Sequence, residues 1–266
     1  MTECAVMIAL STVLSIVKIA EMPYGGSITM ASMLPIVVAV YRHGGAWGFG
    51  TAMANALIQM LLGLNNFSYF TTWQSVVALA IFDYVLAFVA FALSGVFKKI
   101  IKSQCAAMTL GALLASILRY FCHVISGATI WAGLSIPSEA ALLYSFSYNA
   151  TYMLPESIIL VLVCAYISSV IDFRRDIPSR MAKDSLSKVE SYSFIAAGLV
   201  LLVGIILDVV AIFPILQDEL GGEFLITNLA KVNWLYVGIV TGAAILIAAA
   251  LIIFVIIRKK RLQKAA

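Results

Sequence analysis

The sequence runs to 266 residues, 63% of them hydrophobic and 11% charged, against roughly 45–50% and about 25% in soluble globular domains. A soluble core cannot absorb that much apolar surface, so these proportions exclude an ordinary soluble domain and point to lipid as the solvent. The net charge of +4 argues for no nucleic-acid partner, because loop position accounts for where the basic residues fall.

The chain begins Met-Thr-Glu-Cys and enters apolar sequence with neither a basic leader nor a small-residue cleavage site. Its first apolar segment is therefore expected to be its own insertion signal. Apolar segments follow at 4–20, 33–41, 46–62, 73–97, 105–125, 140–171, 192–216 and 234–257. A crossing helix needs roughly 20 such residues. The second segment is too short to cross straight, so it is expected to tilt or to combine with 23–32, read as a re-entrant loop. Such a loop is tolerated only where its backbone faces protein or a cavity.

Charge alternates between the loops. Arg42, Lys98, Lys99, Lys102, the basic residues of 174–188 and Arg258 to Lys264 all fall on one side, with Lys18 and Arg119 inside spans. Only Lys231 lies in a loop on the other side, which carries Glu139, Asp218, Glu219 and Glu223. This bias predicts an even number of crossings, with both termini in the cytoplasm of a plasma-membrane protein. The polar stretch 173–191 reads as a cytoplasmic linker between a six-helix membrane domain, 1–172, and a two-helix tail, 192–266. The predicted fold is an all-α polytopic transmembrane bundle, a six-helix core with a C-terminal helical hairpin.

Ionisable groups inside spans are costly and point to function. Here they are Lys18, Asp83, Arg119, His123, Glu156 and Asp208. Asp83 is the one acid of its span, either an interhelical hydrogen-bond partner or an anionic contact for a cationic ligand. Arg119, His123, Gly127 and Trp131 recur every four residues, which puts the first three on one slowly drifting helix face. Gly127 permits close approach of backbone or ligand.

The sixth span opens with Tyr144, Tyr148, Asn149 and Tyr152. An interfacial belt accounts for the tyrosines; Asn149 is not a belt residue and shares a face with Tyr152 and Glu156. Pro155 is expected to kink that helix, and Glu156 reads equally as a structural acid or as a support to the site. Aromatic faces with one carboxylate suit a flat cationic ligand. Motifs for catalysis are missing: there is no His-Glu-x-x-His helix, no Gly-x-Ser-x-Gly elbow and no phosphate-binding Gly-Lys-Ser/Thr loop. Cys4, Cys105, Cys122 and Cys164 show no CxxC spacing, and His43 and His123 fall on opposite sides. Neither an enzyme, a cofactor nor a metal site is expected.

Several short motifs converge: Met33-Leu34-Pro35-Ile36 with Tyr41-Arg42-His43-Gly44, Asp83-Tyr84 with Leu86-Ala87-Phe88, Arg119 to His123 with Gly127 and Trp131, and Tyr144 to Asn149. Over about residues 2–173 the chain resembles the thiamine-specific S component (ThiT type) of energy-coupling factor vitamin transporters. The resemblance implies a six-helix substrate-binding subunit that takes thiamine near the outer face. It implies that a transmembrane coupling subunit and two ATPase subunits drive import. It matches Asp83 and Tyr84 to the family's acid and tyrosine, with Asp replacing the usual Glu. His123, Gly127, Trp131, Tyr144 and Asn149 match the remaining ligand residues, and Trp73 matches an aromatic residue three turns before the acid. Ala5 and Ala9 match the Ala-x-x-x-Ala face that docks on the coupling subunit.

Two departures stand out. Gly26 falls where family members can carry a tryptophan that closes over the ligand, and the sequence beyond Asp172 has no family counterpart. Two other readings stay open: an S component for another vitamin or a thiamine pyrimidine precursor, and a polytopic membrane enzyme or sensor that uses the last two helices and Asp208.

Overall fold

A computed structural model describes every residue except 23, 24, 132, 133, 135, 137, 182–187, 217–225 and 266. Pro23 and Tyr24 of the expected re-entrant loop, and Lys183, Asp218, Glu219 and Glu223 of the charge pattern, lie outside the described residues. The chain divides into two compact units, Met1–Met181 and Ala182–Ala266.

Helix α1 covers Thr2–Ile16 and stops short of the expected residue 20, with Val17 already extended. The following residues pair instead, β1 (Lys18–Glu21) antiparallel to β2 (Ser27–Thr29) with Ala20 opposite Ile28. β-branched Val17 and Ile19 suit an extended chain as well as a helix, and the strand partner decides the outcome. Lys18, expected inside the first span, therefore lies exposed on β1, 2.5 Å from Glu21. The described part of 23–32 enters β2 and then a buried turn at Ala31 and Ser32.

Helix α2 (Leu34–His43) is short because it is a core helix. Ile36, Val37, Val38, Ala39, Val40 and Tyr41 are all buried, so no face is left for lipid and neither tilt nor a re-entrant partner is needed. Helix α3 (Gly45–Leu62) follows, then a 3-10 segment, Leu64–Tyr69.

Helix α4 (Trp73–Lys99) changes winding along its length. It is α-helical over Trp73–Leu79, π-helical over Ala80–Leu86, briefly α-helical over Ala87–Val89, and 3-10 over Ala90–Lys99. Helix α5 (Gln104–Thr129) opens with Ser103 accepting from the Ala106 N–H, and α6 (Glu139–Val170) opens with Ser138 accepting from the Ala141 N–H. Such caps satisfy N–H groups that a helix leaves free. Pro155 is accommodated within α6. A side chain at Gly111 of α5 would collide with the Ser94 carbonyl of α4, so glycine sets how closely these helices approach.

The end of the first unit that holds the C-terminus of α2 is knotted by Arg42. Its guanidinium donates to the carbonyls of Phe173, Arg175 and Asp176 at 2.8–2.9 Å and pairs with Glu3 of α1. The Gln104 side chain bonds Ser168 O, Ile171 O and the Phe173 N–H. A short ribbon, β3 (Ile171–Asp172) with β4 (Ser179–Arg180), completes this unit. Lys98 closes the same end by donating to the Arg42 carbonyl.

In the second unit α7 (Lys188–Leu216) packs on α8 (Trp234–Ala265). Ala197, Ala244 and Ala248 are buried, and a Cβ at Gly204 would sit 2.7 Å from that of Ala244. Small residues allow this approach. Thr241 donates to Asp208 at 2.5 Å, so that acid is tied across the hairpin. Among the described residues, five helices are long and apolar enough to cross a membrane: Trp73–Lys99, Gln104–Thr129, Glu139–Val170, Ile195–Ile212 and Trp234–Val255.

Candidate functional site

At the end of the first unit opposite Arg42, the π-helical stretch of α4 presents Asp83 to the last turns of α5. π turns place residues where regular α winding would not, and they recur at functional sites. Asp83 Oδ1 lies 3.1 Å from His123 Nδ1, and Oδ2 accepts from the Trp131 indole N–H at 3.0 Å. The Asp83 and His123 side chains are only 12% and 14% exposed, so the carboxylate acts in a poorly solvated setting where each hydrogen bond counts for more.

With Nδ1 directed at Asp83, a neutral His123 offers Nε2 as an acceptor, and a charged one offers it as a donor. That nitrogen is buried and has no hydrogen-bond partner among the described residues. Trp131 is walled by Phe70, edge-on with centroids 4.9 Å apart, and by Tyr69 at 5.6 Å. An acid and an imidazole thus meet an aromatic surface, as binding an organic cation requires.

Tyr84, next in sequence, faces elsewhere. Its buried hydroxyl donates to Gly63 O and accepts from Asn66 Nδ2, both at 3.0 Å, while Phe67 stacks on its ring. It fixes the 3-10 segment that ends at Tyr69 and leads into Phe70. Gly127 serves helix approach: a Cβ there would collide with Ser145 Oγ of α6. The hydroxyl of Ser145 donates to Val124 O at 2.8 Å across the same crossing.

The amide of Asn149 is fixed in orientation. Its Nδ2 donates to Ser145 O at 2.8 Å, and its Oδ1 accepts from the Tyr152 hydroxyl at 2.5 Å. Tyr144 stacks on Tyr148, and Tyr148 meets Tyr152 edge-on, which forms an aromatic column along α6. Trp73 is not brought to this cluster; it stands 72% exposed at the head of α4. A side chain needs room as well as sequence position, and the first turn of α4 leaves that ring on the surface. Ala5 and Ala9 lie on the exposed side of α1 beside Val6 and Val13, opposite buried Cys4 and Ser11.

Sequence reasoning missed Tyr69, Phe70 and Thr29. Tyr69 and Phe70 fall between the apolar segments and carry no motif, and nothing local marks Thr29, whose partner is Glu156. It also missed what stands at Gly26. A Cβ there would lie 2.7 Å from the Tyr152 ring, so the space above Gly26 belongs to an aromatic supplied by α6.

The family described as Thiamine transporter protein (Thia_YuaJ) matches residues 1–173. The chain is 35% identical to the thiamine transporter ThiT of Bacillus subtilis (strain 168) over 172 residues, covering 60% of this chain and 85% of that protein. Among solved structures it is similar to ThiT from Listeria monocytogenes, with 24% identity, a TM-score of 0.50, and 63% of this chain and 91% of that one covered. At that identity the likeness speaks for the fold, a helical membrane bundle.

Proposed function

The chain belongs to the thiamine transporter protein family, transporters and not enzymes, and on that premise we propose that it binds thiamine at the Asp83 cluster as the S component of an energy-coupling factor importer. The observation that carries the reading is the Asp83–His123–Trp131 contact set. Thiamine offers an aminopyrimidine with N–H donors and a flat cationic thiazolium. The carboxylate of Asp83 suits the amino group, and the Trp131, Tyr69 and Phe70 rings suit stacking and cation–π attraction. By the family resemblance, Asn149 and Tyr144 of α6 add an amide and an aromatic ring to the ligand's surroundings.

The basic residues around Arg42, Lys98 and Arg174 favour placing that end in the cytoplasm. The cluster then opens outward, and both termini lie inside. A transmembrane coupling subunit with two ATPase subunits supplies the energy, docking on α1 where Ala5 and Ala9 allow close helix approach. Residues 1–172 bind, 173–191 link, and 192–266 form a tail with a separate role. The test is equilibrium binding of radiolabelled thiamine to the purified full chain, with its pyrimidine precursor and other vitamins as competitors. Saturable binding displaced only by thiamine supports the reading; displacement by the precursor at lower concentration transfers the cargo to that compound. Failure of uptake, with binding intact, in the Ala5→Trp, Ala9→Trp double variant would support the docking face.

A further inference from the structure

Asp208 is the sole acid of the apolar runs 192–216 and 234–257, and those runs contain no Lys, Arg or His. It lies about 12 Å along α7 from the helix end at Leu216, within the depth of a hydrocarbon core roughly 30 Å thick. Thr241 of α8 gives its one hydroxyl hydrogen to Oδ2. The other oxygen, Oδ1, is buried and has no hydrogen-bond partner among the described residues.

A stranded polar atom is costly away from water, and ionisable groups inside spans almost always pair or face a bundle interior. Two helices have no interior; they enclose only the seam between them. The cations that the sequence places in the first unit's spans are already matched. Arg119 holds Glu156 at 3.0 Å, and Lys18 holds Glu21 at 2.5 Å. His123 is taken by Asp83.

Beside this carboxyl the surface of α8 is open. Gly238, Thr241 and Gly242 share one side of the helix, and a Cβ built on either glycine would meet nothing within 4 Å. Glycines four apart let a second helix backbone come close. Their place next to Thr241 puts such a helix within reach of the carboxyl that Thr241 holds.

We propose that Asp208 is the docking point for a transmembrane helix of another protein that carries a lysine or arginine within its span. Charge sets the partner's chemistry, because a carboxylate in lipid is matched by a cation and the tail's own spans supply none. The partner's cation donates to Oδ1, while Gly238 and Gly242 admit its backbone. None of this depends on what the Asp83 cluster binds.

The experiment follows energy transfer in liposomes between the labelled full chain and synthetic transmembrane peptides. Each peptide is a run of about 20 leucines with a Lys, a Gln or a further Leu at the depth of Asp208. The Lys peptide should associate on the order of tenfold more tightly than the Leu peptide, the factor for one hydrogen bond to a charged group, with the Gln peptide well short of it. Asp208→Asn, which can still accept from Thr241, should abolish that preference. Gly242→Ile should weaken Lys-peptide binding with the carboxylate in place. Equal binding of the Lys and Leu peptides by wild type overturns the proposal, even where a variant fails to insert. A Lys preference that survives in Asp208→Asn, or a Gln peptide that binds as tightly, overturns it too. If wild-type chains associate with one another and Asp208→Asn abolishes that, the occupant is a second copy and the proposal falls.

Discussion

Asp83 accepts a hydrogen bond from the indole of Trp131 at 3.0 Å, joining residues 48 positions apart. The same carboxylate meets His123 with its other oxygen. Its two oxygens are thus aimed by protein groups before any ligand arrives, and that preorganisation lowers the cost of binding. Asp83→Asn keeps the shape but removes the charge, and should weaken thiamine binding by about 1.5–3 kcal/mol. Asp83→Glu, which keeps the charge, should bind well. Isothermal titration of the purified variants decides; equal affinities for wild type and Asp83→Asn would take Asp83 out of the site.

The four tryptophans (Trp47, Trp73, Trp131 and Trp234) report different places. Thiamine stacked near Trp131 should quench intrinsic fluorescence, and Trp131→Phe should lose most of that quench. Trp73→Phe should change little, since that ring stands 72% exposed outside the cluster. The reverse pattern in a fluorescence titration would move the ligand to the head of α4.

Gly127 has its consequence in stability. A methyl group there collides with Ser145 Oγ and lies 3.0 Å from Ser145 Cβ, so Gly127→Ala should destabilise by about 1–3 kcal/mol, as overpacking does. Adding Ser145→Ala removes the first collision and leaves the second, so thermal unfolding in detergent should show partial recovery. No loss in the single variant would mean that α5 and α6 can separate freely.

Truncation tests where the binding unit ends. Stopping after Met181 preserves every carbonyl that Arg42 holds, as well as the β3–β4 ribbon. That protein should remain monodisperse and bind thiamine as the full chain does. Stopping after Asp172 leaves Arg42 without its three carbonyl partners and Gln104 without the Phe173 N–H, and should lower the midpoint of unfolding by several degrees. Size-exclusion chromatography with a binding assay separates the cases; loss of binding on stopping after Met181 would assign part of the site to the tail.

The long helices were legible in the sequence because apolar runs of that length leave the backbone no other way to satisfy its hydrogen bonds in lipid. Asp83, His123 and Trp131 were legible for a related reason, as polar groups inside or beside such runs are conspicuous. The end of α1 was not, because 17–20 is apolar enough to continue a helix and its pairing with 27–29 is a nonlocal choice. The π winding around Asp83 leaves no mark in composition, although it aims the carboxylate. Trp73 misled because sequence spacing measures distance along a helix and not the direction a ring takes. Thr29 and Glu156 are 127 residues apart, and no local pattern connects them.

The burial of α2 bears on how the chain is assembled. Ten residues of helix rise about 15 Å, half the roughly 30 Å of a bilayer's hydrocarbon core, and the helix packs against α1, α3 and α5 with its middle wholly covered. The insertion machinery can release long apolar helices into lipid one at a time, but α2 has no lipid-stable state of its own. It becomes solvated only as its neighbours close around it. Substitutions in α2 should therefore leave entry of the long spans intact and act on how the first unit closes around it.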